Sequence, residues 1–171
     1  MIALFNKILF ALTKYVAWVG MLFLLGAVII TTSDVVMRTA GGQGIYGAID
    51  LIQLMVMTAA YLSIPYAFMN RSHVAVSVFT ERFNRRASAL TEMLGAALAS
   101  AFMCAIAYYG YLQALQQIEY GDLSMIFGLP MIYYWTPLVL GSFLSCVVTV
   151  HIFAEHLYTF LTGRSALAEG S

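Results

Sequence analysis

The sequence predicts an all-α integral membrane protein with four transmembrane helices. Its composition predicts this first. The 171 residues are 62% hydrophobic and 9% charged, against about 45–50% and about 25% in an ordinary soluble domain. Mean hydropathy is +0.87. Charge placement is the second observation: eight Lys+Arg and eight Asp+Glu are separated by long uncharged runs. A small soluble domain has too little interior to hide so much apolar surface, and a lipid solvent removes the difficulty. The same figures exclude a disordered chain, a disulfide mini-protein and a free-standing soluble enzyme. A formal net charge of zero gives no basic bias toward nucleic acid and no acidic tail.

Each helix follows from one uncharged run. There are 19 uncharged residues between Lys14 and Asp34, 20 between Asp50 and Arg71, 26 between Glu92 and Glu119, and 32 between Asp122 and Glu155. About 20 residues at 1.5 Å rise cross the hydrocarbon core, so each run supports one helix. The spans are expected at about 15–37, 47–69, 89–118 and 131–160, in a single membrane domain covering 1–171. Short alternating segments of the β-barrel kind are absent from the sequence. The N-terminal apolar stretch is longer than the roughly 7–15 residues of a signal-peptide core and is read as an anchor that stays on the protein.

Lys7, Lys14, Arg71, Arg82, Arg85, Arg86 and Arg164 fall on one side of an even number of spans, and Arg38 alone on the other. The excess of positive charge puts both termini in the cytoplasm. Between helices two and three, Val74, Val76, Val78, Phe79 and Phe83 accompany the arginines. A short interfacial amphipathic helix is expected there, since an isolated strand beside lipid has unpaired edges; the alternative is a plain basic loop.

Small residues at four-residue spacing, Gly95 to Ala99, Ala97 through Ala101 to Ala105, and Gly141 to Ser145, would allow close helix packing. Tyr15 and Trp18, and Tyr133, Tyr134 and Trp135, fit interfacial aromatic belts. Pro65 and Pro137 lie inside helices two and four as kink candidates. Cys104 and Cys146 are read as small buried side chains rather than a disulfide or redox pair.

No ionisable residue is expected near the bilayer midplane. Asp34 and Arg38 share a helix face at four-residue spacing; a local ion pair and contact with a partner protein are both open. Asp50 sits in the first turn of helix two, where it suits the helix dipole or a partner contact. Arg71, His73, Arg82, Arg85 and Arg86 are expected to anchor the cytoplasmic side. His151 and Glu155 can meet at i,i+4, but two groups do not close a metal site. Glu119 and Asp122 read as a solvated acidic loop. The sequence contains no Ser-His-Asp set, Walker loop or HExxH motif, so no catalytic residue, metal or cofactor is expected. It also lacks the internal repeat and midplane charges of a self-sufficient carrier.

Asp34-Val-Val-Met-Arg38, an outer loop, Asp50, and Arg71-Ser-His73-Val-Ala-Val76 come in this order along the chain. Gly121-Asp-Leu-Ser124, Gly128-Leu-Pro130-Met-Ile-Tyr-Tyr134, Pro137 and Gly141 follow. The set resembles the small membrane subunit of tripartite ATP-independent periplasmic (TRAP) transporters, the DctQ-like family, over roughly 15–160. Two positions depart from the family's habit. Arg38 is followed by Thr39-Ala-Gly-Gly-Gln43 where an aromatic and an Asn are frequent, and Asp50 stands where Glu is frequent. The resemblance implies an accessory, scaffold-like subunit in the bacterial inner membrane. It would pair with a large multi-spanning subunit that holds the substrate and sodium sites, and a periplasmic binding protein would deliver an organic acid for sodium-driven symport. Asp34, Arg38 and Asp50 are then candidate partner contacts. Two alternatives stand beside it. A four-helix exporter working as a homodimer would place a carboxylate within its first helix, whereas Asp34 lies at the helix end. A haem bundle would draw on His73, His151 and His156, which all fall on one side.

Overall fold

The computed structural model of the chain describes the backbone of residues 2–70 and 85–162, and the side chains of 6–70 and 93–158. Four helices account for nearly all of it: α1 (Ile2–Gly41), α2 (Ala48–Met69), α3 (Arg85–Tyr120) and α4 (Ile132–Thr162). All four are long and apolar enough to cross a membrane. There is no strand among the described residues, only an isolated bridge between Leu123 and Pro130.

The helices begin and end near the expected positions, with two extensions. α1 starts at Ile2 and runs 40 residues, about 60 Å at 1.5 Å per residue and so about twice the hydrocarbon thickness. α3 starts at Arg85, so Arg85 and Arg86 belong to its first turn and not to a separate interfacial element. Charged and small polar residues continue a helix readily once it has nucleated, and hydropathy alone underestimates such ends. The expected interfacial helix otherwise falls on 71–84, outside the described residues.

α2 and α4 form the central pair. α1 packs on α2, and α3 packs on α4. Burial agrees: in the most apolar window of each helix, 33% of α4 but only 6% of α3 is buried. The connection 42–47 and the loop 121–131 lie at one end, here called the loop end; the start of α1 and the end of α4 lie at the other, the terminal end. The core cluster of Leu9, Phe68 and Val148, with Ile64, Met103 and Ile152 packed on it, sits toward the terminal end.

Pro65 shapes the central contact. It lies inside α2, fully buried, and with no N–H it leaves the carbonyl of Tyr61 without its helical donor. The backbone of Gly141 in α4 comes up against that carbonyl, so close that a Cβ at 141 would overlap it. The Gly141 and Ser145 pair expected to pack closely does so: Ser145 is fully buried and donates to the Gly141 carbonyl at 2.7 Å. The α3 row behaves differently. Ala101 and Ala105 are exposed, and Gly110 is the α3 glycine that meets α4, at Leu138.

Buried hydroxyls satisfy themselves on their own helices. Thr13 donates to the Leu9 and Phe10 carbonyls, Thr58 to Leu54 and Thr149 to Ser145. Such back-bonding lets a small polar side chain sit in an apolar packing without an orphaned donor.

One expectation is overturned. Cys104 and Cys146 are joined as a disulfide between α3 and α4. The reason is geometric. In two antiparallel helices joined by a loop, residues equidistant from the loop centre face each other, and the midpoint of 104 and 146 falls at 125, inside the 121–131 loop. Burial in an apolar run is therefore compatible with pairing, and spacing is the better guide.

Candidate functional site

The polar groups of the loop end are organised by two carboxylates. Asp34, near the end of α1, receives Arg38 Nη2 on Oδ2 at 3.0 Å, one helical turn away. Its Oδ1 accepts the backbone N–H of Ile45 at 2.7 Å. The arginine side chain is 65% exposed and the aspartate 13%. The aspartate is thus the fixed partner, and the guanidinium reaches into solvent. The ion pair at an exposed boundary contributes little by itself; holding the 42–47 connection is the structural part. Gly44 passes so near that a Cβ there would crowd both side chains.

Asp50 does more than the sequence indicates. It lies in the first turn of α2 but makes no side-chain cap of that helix, whose N-cap is Gly47. It is 6% exposed, and its Oδ2 accepts the N–H groups of Ile126 at 3.1 Å and Phe127 at 2.9 Å. Its partners are backbone donors of the α3–α4 loop, a role beside the helix dipole and the partner contact that the sequence leaves open. A carboxylate accepting two peptide N–H groups makes strong, charge-assisted bonds.

The 121–131 loop is folded around that anchor. Ser124 N–H donates to the Leu129 carbonyl at 2.8 Å and Met131 N–H to that of Asp122 at 2.9 Å. Leu129 N–H donates to the Ser124 hydroxyl at 3.1 Å. Tyr46 donates from its hydroxyl to the Ile126 carbonyl at 3.0 Å. Tyr46 also stands edge-on to Phe127, with centroids 5.9 Å apart. Phe127 lies over Gly47, whose φ of +72° suits glycine and where any Cβ would overlap the ring. Tyr134 is buried and donates to the Asp50 carbonyl at 3.1 Å; it is a latch within the protein, not a member of an interfacial belt. Met125, at the loop tip, is 99% exposed.

At the terminal end, His151 Nε2 lies 3.4 Å from Glu155 Oε1, as the i,i+4 spacing allows. Asn6 of α1 joins them: its Nδ2 donates to Glu155 at 2.8 Å and its Oδ1 contacts His151 Nε2. No group of three His, Cys, Asp or Glu that could hold a metal occurs among the described residues.

The expected site residues therefore divide. Asp34, Arg38 and Asp50 gather at the loop end, each engaged within the chain. Arg71, His73 and Arg82 lie outside the described residues, as do the side chains of Arg85 and Arg86. Sequence reasoning does not single out Tyr46, Ser124, Phe127 or Tyr134 as site residues. The available signal is a pair of glycines, Gly121 and Gly128, both of which adopt positive φ. They bracket a segment too short for another helix and too polar at its start for lipid.

Fold and site together define a small multi-pass membrane protein whose charged groups fasten its own connections and whose apolar helix faces are left open. The family model described as tripartite ATP-independent periplasmic transporters, DctQ component, matches residues 27–159. The chain belongs to this family and is a small component of a TRAP transporter. No curated protein and no solved structure matches it.

Proposed function

We propose that the protein is the scaffold subunit of its transporter. It supports a large multi-spanning subunit in sodium-driven uptake of an organic acid that a periplasmic binding protein delivers. In this reading it lies in the bacterial inner membrane with its terminal end in the cytoplasm, and its loop end faces the periplasm. The family match carries the reading.

The lipid-facing surface supports it. Tyr15, Trp18, Leu22, Leu25, Ile29 and Val36 are exposed along α1. They follow a three-and-four spacing interrupted only by Thr32, also exposed. That spacing is the seam through which one helix packs against another. Asp34, Arg38 and Asp50 act in this reading by holding the two periplasmic connections in shape beside the large subunit, with Arg38 and Met125 the parts that reach outward.

Co-expression with the large subunit tests the proposal. The two chains should co-elute from size-exclusion chromatography in detergent, and the pair with its binding protein should carry solute into vesicles under an inward sodium gradient. Separate elution, or solute uptake by this chain alone, overturns it.

A further inference from the structure

The outward row of α2, formed by Ile49, Gln53, Val56 and Ala60, is exposed at each position and follows the three-and-four spacing of a helix-packing face. It lies one residue round the helix from Met55 and Ala59, which meet α1 at Gly26 and Gly20. We propose that this row takes a transmembrane helix of the large subunit, and that Gln53 hydrogen-bonds to a polar, uncharged side chain on that helix. The contact rests on the scaffold reading and adds to it the docking row and the chemistry of the partner.

Depth makes Gln53 informative. Gly26 stands against Met55 and Gly20 against Ala59, so the two helices run antiparallel and Gln53 is level with about residue 28 of α1. Asp34 is six residues further along α1, about 9 Å at 1.5 Å per residue. Lys14, at the other boundary, is about 21 Å away by the same measure. A buried lysine or arginine snorkels to the headgroups on a long stem; glutamine has a shorter stem and no charge to draw it out.

The carboxamide carries two N–H donors and a carbonyl acceptor, and Gln53 makes no hydrogen bond among the described residues. The exposed threonines of the spans behave otherwise. Thr32 and Thr136 donate to the Val28 and Ile132 carbonyls of their own helices. Lipid tails offer an amide nothing, and an unbonded amide in an apolar medium is costly. A helix that presents a donor or acceptor at this depth relieves that cost. Ala60 keeps the row low, so a neighbouring backbone can come close. The α1 row of Tyr15, Trp18, Leu22 and Leu25 is bulky by contrast; it supplies area, and Gln53 supplies direction. Membership of a multi-component transporter names the kind of partner.

Equilibrium energy transfer between the donor-labelled full chain and the acceptor-labelled large subunit, diluted with lipid in liposomes, reads the association. Gln53→Leu should weaken it about threefold to tenfold, the range of a single interhelical hydrogen bond in a membrane. Gln53→Asn, which keeps the carboxamide, should lose less. The melting temperature of the chain alone should not fall in Gln53→Leu, because leucine suits lipid better; this separates a lost contact from a damaged fold. Equal association by the wild type and Gln53→Leu overturns the inference and leaves the scaffold reading standing. No association by the wild type overturns both. Transfer between two labelled copies of this chain that Gln53→Leu abolishes also overturns the inference, because the row would then serve a homodimer.

Discussion

Asp50 accepts two peptide N–H groups from a loop 76 and 77 residues further along the chain. Asp50→Ala leaves those donors without an acceptor in a shielded position, which costs more than the bonds themselves contributed. The loop should loosen while the helices persist. Hydrogen exchange should accelerate at Ile126 and Phe127 and stay unchanged in the middle of α2 and α4; unchanged exchange at 126 and 127 would remove Asp50 from its anchoring role. The residue types at this end are legible in the sequence, and so is the Asp34–Arg38 pair, because i,i+4 geometry is local. The destination of Asp50 is not. A carboxylate in the first turn of a helix has a sufficient local explanation in the dipole, and nothing nearby in sequence announces a distant backbone donor. The belt assignment of Tyr134 fails for a related reason. Its neighbour Tyr133 is exposed while Tyr134 is buried, and composition cannot separate adjacent aromatics that point in opposite directions.

The elements are legible because each is a long uncharged run, and the pairing of elements is only partly so. Gly141 is recognisable as a close-packing residue, but its counterpart is a carbonyl freed by a proline in another helix, a pairing visible only once α2 and α4 lie together. Gly141→Ala forces a methyl group into the Tyr61 carbonyl and must push the central helices apart. Overpacking of this kind costs about 1–3 kcal/mol, and there is little slack because helices in lipid depend on close packing to associate. The variant should melt earlier in detergent, whereas Gly95→Ala should leave the melting temperature unmoved, since nothing lies within 4 Å of a Cβ at 95. Equal behaviour of the two variants would mean that the α2–α4 crossing is not the tight contact described. The disulfide makes a complementary point. α3 has the least buried surface of the four, and a covalent tie at Cys104–Cys146 holds to α4 the helix that packing holds least. Cross-linking chain segments 42 residues apart restricts the unfolded chain, with typical stabilisation of about 2–4 kcal/mol.

At the scale of the whole molecule, parity and charge make one joint claim. Four spans return the chain to the side on which it began, and in the proposed function the distribution of lysine and arginine puts that side in the cytoplasm. On that proposal the loop end, with Met125 fully exposed at its tip, faces the periplasm. Met125→Cys introduces a thiol at a position with no packing to disturb, in a chain whose two native cysteines are tied to each other. A membrane-impermeant maleimide should label it in intact cells, whereas Tyr158→Cys, at an exposed position toward the far end of α4, should label only after the inner membrane is permeabilised. The two results separate distinct errors. Labelling of both positions in intact cells would mean that the chain does not cross between them, so α4 lies on the membrane instead of through it. The reverse pattern would keep four crossings and invert the molecule, moving the fastened loops to the cytoplasm, away from any periplasmic partner. Orientation therefore decides whether the Asp34 and Asp50 networks can bear on solute delivery at all, which is why it should be measured before any substitution at those residues is interpreted as an effect on transport.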